Sequence, residues 1–113
     1  MKELITISAQ ATIREALQVI DANHHGIVLV LNEAEQVIGT ATDGDIRRQL
    51  LEGLTLEDRI EQCAEPNFVW APVGESRERL LKLLDHRVKL IPLLYSDRRL
   101  AEVIARDHFP LPK

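Results

Sequence analysis

A chain of 113 residues, 45% apolar and 28% charged, is long enough for one compact domain or for two half-domains that fold only against each other, and too apolar for disorder. Its net charge of −4, with Lys and Arg scattered rather than clustered, leaves no footprint for a nucleic-acid partner. One cysteine, Cys63, permits neither an intramolecular disulfide nor a cysteine-based metal site, and no run is apolar enough for a signal peptide or a membrane span, so a cytoplasmic chain without membrane contact is expected.

In chain order, Thr12 reads as an N-cap, and Ile13, Ala16, Leu17 and Ile20 recur behind it at helical spacing. The apolar run 27–31 predicts a strand buried on both faces, and 37–41 returns as a hairpin after the polar turn 32–36. A helix over 45–52 comes next, with Gly53 placed as its C-terminal cap. Thr55 and Asp58 predict a capping box before a short helix ending near Cys63, and Pro66-Asn67 turns the chain into an extended 68–70. Ser76 then opens a helix carrying Leu80, Leu81, Leu83 and Leu84, and 90–95 and 100–104 form a second hairpin around 96–99. Pro110 and Pro112 forbid a regular helix at the end.

The two halves repeat at an offset of 64 residues, pairing Thr12 with Ser76, Leu17 with Leu81, Ile20 with Leu84 and Asp21 with Asp85. In the second strands the offset drops to 63 because the turn is shorter. The expected fold class is therefore α+β (mixed α/β), built from two half-modules of helix, strand and strand with flanking helices. One spans 1–62 with its following helix, and the other spans 63–113, truncated at its C-terminal helix. A hairpin with one helix does not bury its apolar face alone, so the halves are expected to pack as a pseudo-twofold pair with a cleft between them.

The residues with chemistry lie where the first hairpin ends, at Gly39, Thr42 and Asp45. A hydroxyl and a carboxylate held on a strand-to-helix turn can together grip the vicinal hydroxyls of a ribose, the carboxylate accepting from both. Gly44 would permit a tight turn there. The free N–H groups of the following helix, reinforced by Arg47 or Arg48, would favour a phosphate. The same residue types have plainer uses. Thr and Asp cap helices wherever helices start, and Arg47, Arg48 and Lys89 suit a solvated surface. His24-His25 suits a polar turn better than a metal site, which would need a third ligand. Cys63 reads as buried and inert, Trp70 with Phe68 as core, and Asp97-Arg98-Arg99 as a charged turn.

The run from Gly39 to Arg48 resembles the cystathionine β-synthase (CBS) domain signature, in which a glycine, a Thr or Ser and an Asp stand three residues apart. The resemblance covers nearly the whole chain and implies two tandem CBS domains. Such a pair would bind a purine ribonucleotide (AMP, ADP or ATP as a regulatory ligand, with no metal), its ribose on Thr42 and Asp45. The base would lie between the central strands, near Ile27 and Val28, with phosphates near Arg47 and near Lys89, the counterpart of His25. The residues Thr-Asp-Gly-Asp-Ile-Arg-Arg are similar to CBS pairs that precede sugar-phosphate nucleotidyltransferase domains, and also to pairs attached to sugar-phosphate isomerases. An attached catalytic domain in the full-length protein and a homodimer formed through the CBS helices are implied.

In the second half, Glu102, Ala105 and His108 replace the three signature residues, so one competent site per chain is expected. The chain lacks a Walker-type phosphate loop, a Gly-x-Ser-x-Gly elbow and a His-Glu-x-x-His pair, which argues against catalysis. Two function classes stay open: a ligand-sensing regulatory module, and a structural dimerisation module whose ligand site is vestigial.

Overall fold

The computed structural model describes residues 2–85 and 87–106; His108 and the proline-containing end lie outside the described residues. The chain is mixed α+β, as expected, and divides into two compact units, Met1–Phe68 and Val69–Lys113.

Unit 1 begins with α1 (Lys2–Ile5) and β1 (Thr6–Ser8), two elements with no sequence signal of their own. It continues with α2 (Ile13–Asn23), β2 (Ile27–Leu31), β3 (Val37–Thr42), α3 (Asp43–Leu51) and a 3-10 helix, Ile60–Cys63. The sheet order is β1-β2-β3, parallel between β1 and β2 and antiparallel between β2 and β3. As the central strand, β2 has both faces covered, which its unbroken apolar run foretold. Ile13, Ala16 and Ile20 form one stripe of α2 and pack with Val28, Val30, Ala41, Ile46, Ile60 and Cys63. Fully burying the isoleucines and valines of this cluster contributes roughly 1.5–3 kcal/mol each.

A capping box starts α2: the Glu15 N–H donates to Thr12 Oγ1 at 3.1 Å, and the Thr12 N–H donates to Glu15 Oε1 at 3.0 Å. At its other end, Asn23 is buried and ties three segments together. Its Nδ2 donates to the carbonyls of Leu4 (3.1 Å) and Ile27 (3.2 Å), and its Oδ1 accepts from the His25 N–H (2.7 Å).

The short helix expected from Thr55 shrinks to the 3-10 turn at Ile60–Cys63. The capping contact exists, since the Thr55 N–H donates to Asp58 Oδ2 at 2.7 Å. The carbonyls of Leu56 and Asp58, however, accept the N–H groups of Arg14 (3.0 Å) and Ile13 (2.8 Å). They satisfy first-turn donors of α2 that have no partner within that helix. The Ile60 N–H, which an α-helix would return to Leu56, donates instead to the Ala11 carbonyl at 2.8 Å.

Downstream, Glu65 pairs with Thr40 through two backbone bonds of 2.7 and 3.1 Å, laying the segment along β3. That contact explains Gly39. A Cβ there would stand 2.9 Å from both Ala64 Cβ and the Glu65 carbonyl oxygen, so the glycine makes room for the chain's own backbone.

Unit 2 has β4 (Ala71–Pro72), α4 (Arg77–Leu83), β5 (Leu90–Leu94) and β6 (Leu100–Ala105), with sheet order β4-β5-β6. Ser76 Oγ accepts from the Arg79 N–H at 3.2 Å and starts α4. Leu80 is buried and packs with Ala71, Ile91 and Leu93, whereas Leu81, expected on the same face, is 43% exposed. Trp70 is a further departure from expectation. It is 39% exposed rather than core, with the Arg98 guanidinium 5.0 Å from its ring centroid. The turn holding Arg98 is charged as expected, and Arg99 pairs with Asp97 at 2.9 Å.

Candidate functional site

The corner where β3 becomes α3 holds the signature residues. Thr42 is the last residue of β3 and the N-cap of α3, with extended backbone (φ −101°, ψ 166°). The helix starts at Asp43, two residues earlier than the sequence suggested, which puts Asp45 in its third position. The Asp45 N–H donates to Thr42 Oγ1 at 3.1 Å, and the Thr42 N–H donates to Asp45 Oδ2 at 3.0 Å. Both residues are thus engaged in helix capping, with the geometry that Thr12 and Glu15 use at the start of α2.

Asp45 has one more partner. Its Oδ1 meets Arg48 Nη2 at 2.5 Å, one turn along the helix. Gly44 does not make the turn envisaged for it. It lies in the first turn of α3 without a left-handed φ, and a Cβ there would sit 3.6 Å from Arg48 Nη1, an ordinary contact.

Ile27 is half-buried and stands directly opposite Thr42 in the β2–β3 register, and the Asp43 N–H donates to the Gly26 carbonyl at 3.1 Å. Val28, opposite Ala41, points its side chain into the core, so only its backbone is available to a ligand. Arg47 is exposed on α3. The structure therefore gathers Ile27, Thr42, Asp45 and Arg48 at one corner of unit 1, whereas Arg47, two positions beyond Asp45 along α3, lies on a different side of that helix. A hollow lined by Leu17, Ile20, Asp21, His24, Gly26 and Asp43 opens beside the start of α3. Lys89 belongs to unit 2, where it is exposed; its carbonyl accepts from the Arg106 N–H at 2.9 Å as that of Gly26 accepts from Asp43, so its register counterpart is Gly26 and not His25 as expected.

The hairpin registers test the alignment of the halves. Ile27 faces Thr42 in unit 1, and Leu90 faces Ala105 in unit 2, so Ala105 occupies the register position of Thr42. It is buried and carries no hydroxyl. Glu102, opposite Leu93, occupies that of Gly39 and is exposed.

Near the corner, burial raises the Cys63 pKa above the ordinary thiol value, and the charges of Asp45 and Asp58 add to the effect, so this thiol is held protonated and unreactive. Among the described residues no three His, Cys, Asp or Glu side chains converge to hold a metal ion, and His24 serves as the C-cap of α2. Sequence reasoning missed Asn23, which fixes the start of β2 beneath the corner. A polar residue closing an otherwise apolar helix stripe was the one hint of it.

Residues 1–52 match the family model described as the CBS domain. A GMP reductase of Mycobacterium tuberculosis (strain ATCC 25618 / H37Rv) is 25% identical over 103 residues, covering 90% of this chain and 20% of the reductase. The chain spans about a fifth of the length of the curated relatives it matches. A CBS domain protein from Streptococcus pneumoniae TIGR4 superposes with a TM-score of 0.80 at 16% identity, over 94% of this chain and 72% of the other. The cytosolic domain of the Mg2+ channel MgtE, in complex with ATP, gives 0.75 at 16% identity over 95% and 44%. Residues 1–52 are thus similar in sequence to the CBS domain, and the chain has the fold of CBS domain pairs.

Proposed function

We propose that this chain is a regulatory module in which unit 1 binds a purine ribonucleotide, an adenine nucleotide (AMP, ADP or ATP) first among them, and that binding controls a catalytic domain elsewhere in the full-length protein. The observation that carries the reading is the β3–α3 corner. There a hydroxyl, a carboxylate and the Arg48 guanidinium stand together, with an apolar Ile27 opposite Thr42, while the register-equivalent corner of unit 2 offers Ala105. Asp45 is held rigid by the cap and accepts from the two ribose hydroxyls, with Thr42 beside it. Ile27 flanks the base, and Arg47 faces the phosphate. Lys89 is a second candidate for phosphate contact, and its Ala variant tests that role.

The CBS match over the first repeat, the ATP complex of the MgtE domain and a relative named for a purine nucleotide support this reading. The module does no chemistry itself. It acts by favouring one conformation of what it is attached to, in proportion to the ligand's differential affinity for the two states. A sugar-phosphate nucleotidyltransferase or isomerase is the proposed attachment, a homodimer the proposed assembly and the cytoplasm the proposed location.

A second reading has its own observation. The capping geometry of Thr42 and Asp45 matches that of Thr12 and Glu15, which suits a structural module that binds nothing. Calorimetric titration with AMP and 2′-deoxy-AMP separates the two. Under the ligand reading the ribonucleotide binds about tenfold or more tighter, because Asp45 loses a hydrogen-bond partner in the deoxy complex. Equal affinities would remove the ribose grip, and no binding by any adenine or guanine nucleotide would leave the structural module.

A further inference from the structure

We propose that Arg48 is an internal competitor for Asp45 that makes the site favour phosphorylated ribosides over bare ribosides; this rests on the ribose reading of Thr42 and Asp45. Asp45 has two oxygens and they differ. Oδ2 already accepts from the Thr42 N–H and cannot turn away without breaking the cap, so Oδ1 is the oxygen on which a ribose diol depends most for a new bond. Arg48 already holds Oδ1 at 2.5 Å. The two partners also differ in freedom, since the Asp45 side chain is 25% exposed and fixed, whereas that of Arg48 is 69% exposed. Gly44 leaves space beside the guanidinium, with Nη1 3.6 Å from where a Cβ would be.

A ribose diol therefore competes with the guanidinium at Oδ1, and the cost of loosening that ion pair depends on the rest of the ligand. A neutral riboside gives Arg48 nothing in exchange for the carboxylate, so the lost ion pair is subtracted from its affinity. A 5′-phosphate supplies a new anion to the same guanidinium, and the pair is exchanged rather than lost. Arg48 thereby penalises the riboside and not the nucleotide. A simple phosphate-contacting arginine would leave riboside binding alone.

The test is titration of the intact chain with adenosine and with AMP, followed by NMR shifts of the Thr42 and Asp45 amides, in wild type and in Arg48→Gln. Gln has nearly the helix propensity of Arg, so α3 is preserved. Arg14→Gln, which removes an equal charge from the exposed pair with Glu57, is the control. Adenosine should bind Arg48→Gln about two- to fivefold tighter, the worth of an exposed ion pair, while AMP gains nothing and the AMP-over-adenosine preference falls by at least that factor. The gain should be absent for 2′,3′-dideoxyadenosine, which has no diol to compete. In wild type, raising NaCl from about 0.05 M to about 0.5 M should improve adenosine binding by screening the pair, and this response should vanish in Arg48→Gln.

An unchanged AMP-over-adenosine preference, or parallel weakening of both ligands, overturns the competitor role, and the ribose reading survives if 2′-deoxy-AMP still binds worse than AMP. Failure of both proteins to bind either ligand overturns both. Binding of adenosine only to Arg48→Gln is the strongest support the experiment can give.

Discussion

The two units carry one hairpin in one register and differ in nearly everything built on it. Ile27 and Leu90 face Thr42 and Ala105 at equivalent positions, so strand pairing survived where side-chain chemistry did not. In unit 1, β1 pairs at Thr6, Ile7 and Ser8, but β4 pairs only at Ala71 and Pro72. The missing rung would join Trp70 to Pro92, and Pro92 has no N–H to give a ladder. The capping box of α2 is reciprocal. That of α4 is one-sided, because its third helical residue is Arg79, which cannot accept. Among the described residues, the face of α4 contributes one buried side chain, Leu80, packed with Ala71, Ile91 and Leu93, whereas α2 contributes Ile13, Ala16 and Ile20. Backbone pairing is satisfied by any residue with an N–H, so it tolerates divergence that a binding corner does not.

The sharpest way to test this contrast is the core. Ile13→Ala empties a fully buried position in unit 1 and should cost about 2–5 kcal/mol in urea unfolding. Leu81→Ala, at the equivalent of Leu17 in unit 2, should cost less than about 0.5 kcal/mol, since Leu81 is largely exposed. Comparable losses would mean that Leu81 is packed as tightly as Ile13.

Gly39→Ala comes next, at about 1–3 kcal/mol, with lost amide protection at Thr40 and Glu65, because the new Cβ collides with Ala64 and the Glu65 carbonyl. Glu102→Ala should stay within about 0.5 kcal/mol of wild type. A stable Gly39→Ala with intact protection would show that the glycine serves something other than this backbone contact.

Thr42→Ala should destabilise by about 1 kcal/mol through the lost cap, and Thr42→Ser should restore it. Asp45→Ala carries the same structural cost, so Asp45→Asn, which keeps an acceptor for the Thr42 N–H, is the cleaner probe of ligand binding.

The smallest effect is acid lability. The backbone hydrogen bond from Thr12 lowers the Glu15 pKa below its ordinary 4.5, and that from Arg99 lowers Asp97 below its ordinary 3.8. A carboxylate with a lowered folded pKa contributes stability above its unfolded value and loses it as pH falls through the folded one. Melting temperatures should therefore drop below about pH 4.5, more in wild type than in Glu15→Gln. Identical acid profiles would show that the Thr12 cap does not depend on charge.

The hairpins and the helices α2 and α4 were legible because apolar period and N-cap residues act locally: Thr12, Ser76 and the run 27–31 each announced their element. The corner was legible in its residues but not in its bonding. Thr-x-x-Asp reads equally as a cap and as a ribose grip, and the fold shows the first in full without excluding the second. What stayed hidden depends on contacts between distant segments. Gly39 is explained by Glu65, the shortened helix at Ile60–Cys63 by the Ala11 carbonyl, and Trp70's exposure by an arginine in a remote turn. No local pattern encodes such partners.

The central claim is that one corner of one unit binds the nucleotide. Calorimetric titration of AMP, ADP and ATP into the chain, with Asp45→Asn beside it, tests this most directly. The account predicts one site per chain, weakened by about 2 kcal/mol or more in Asp45→Asn as a charge-assisted acceptor is lost, with little change in melting temperature. Two sites of similar affinity, or one whose affinity is the same in Asp45→Asn, would contradict it.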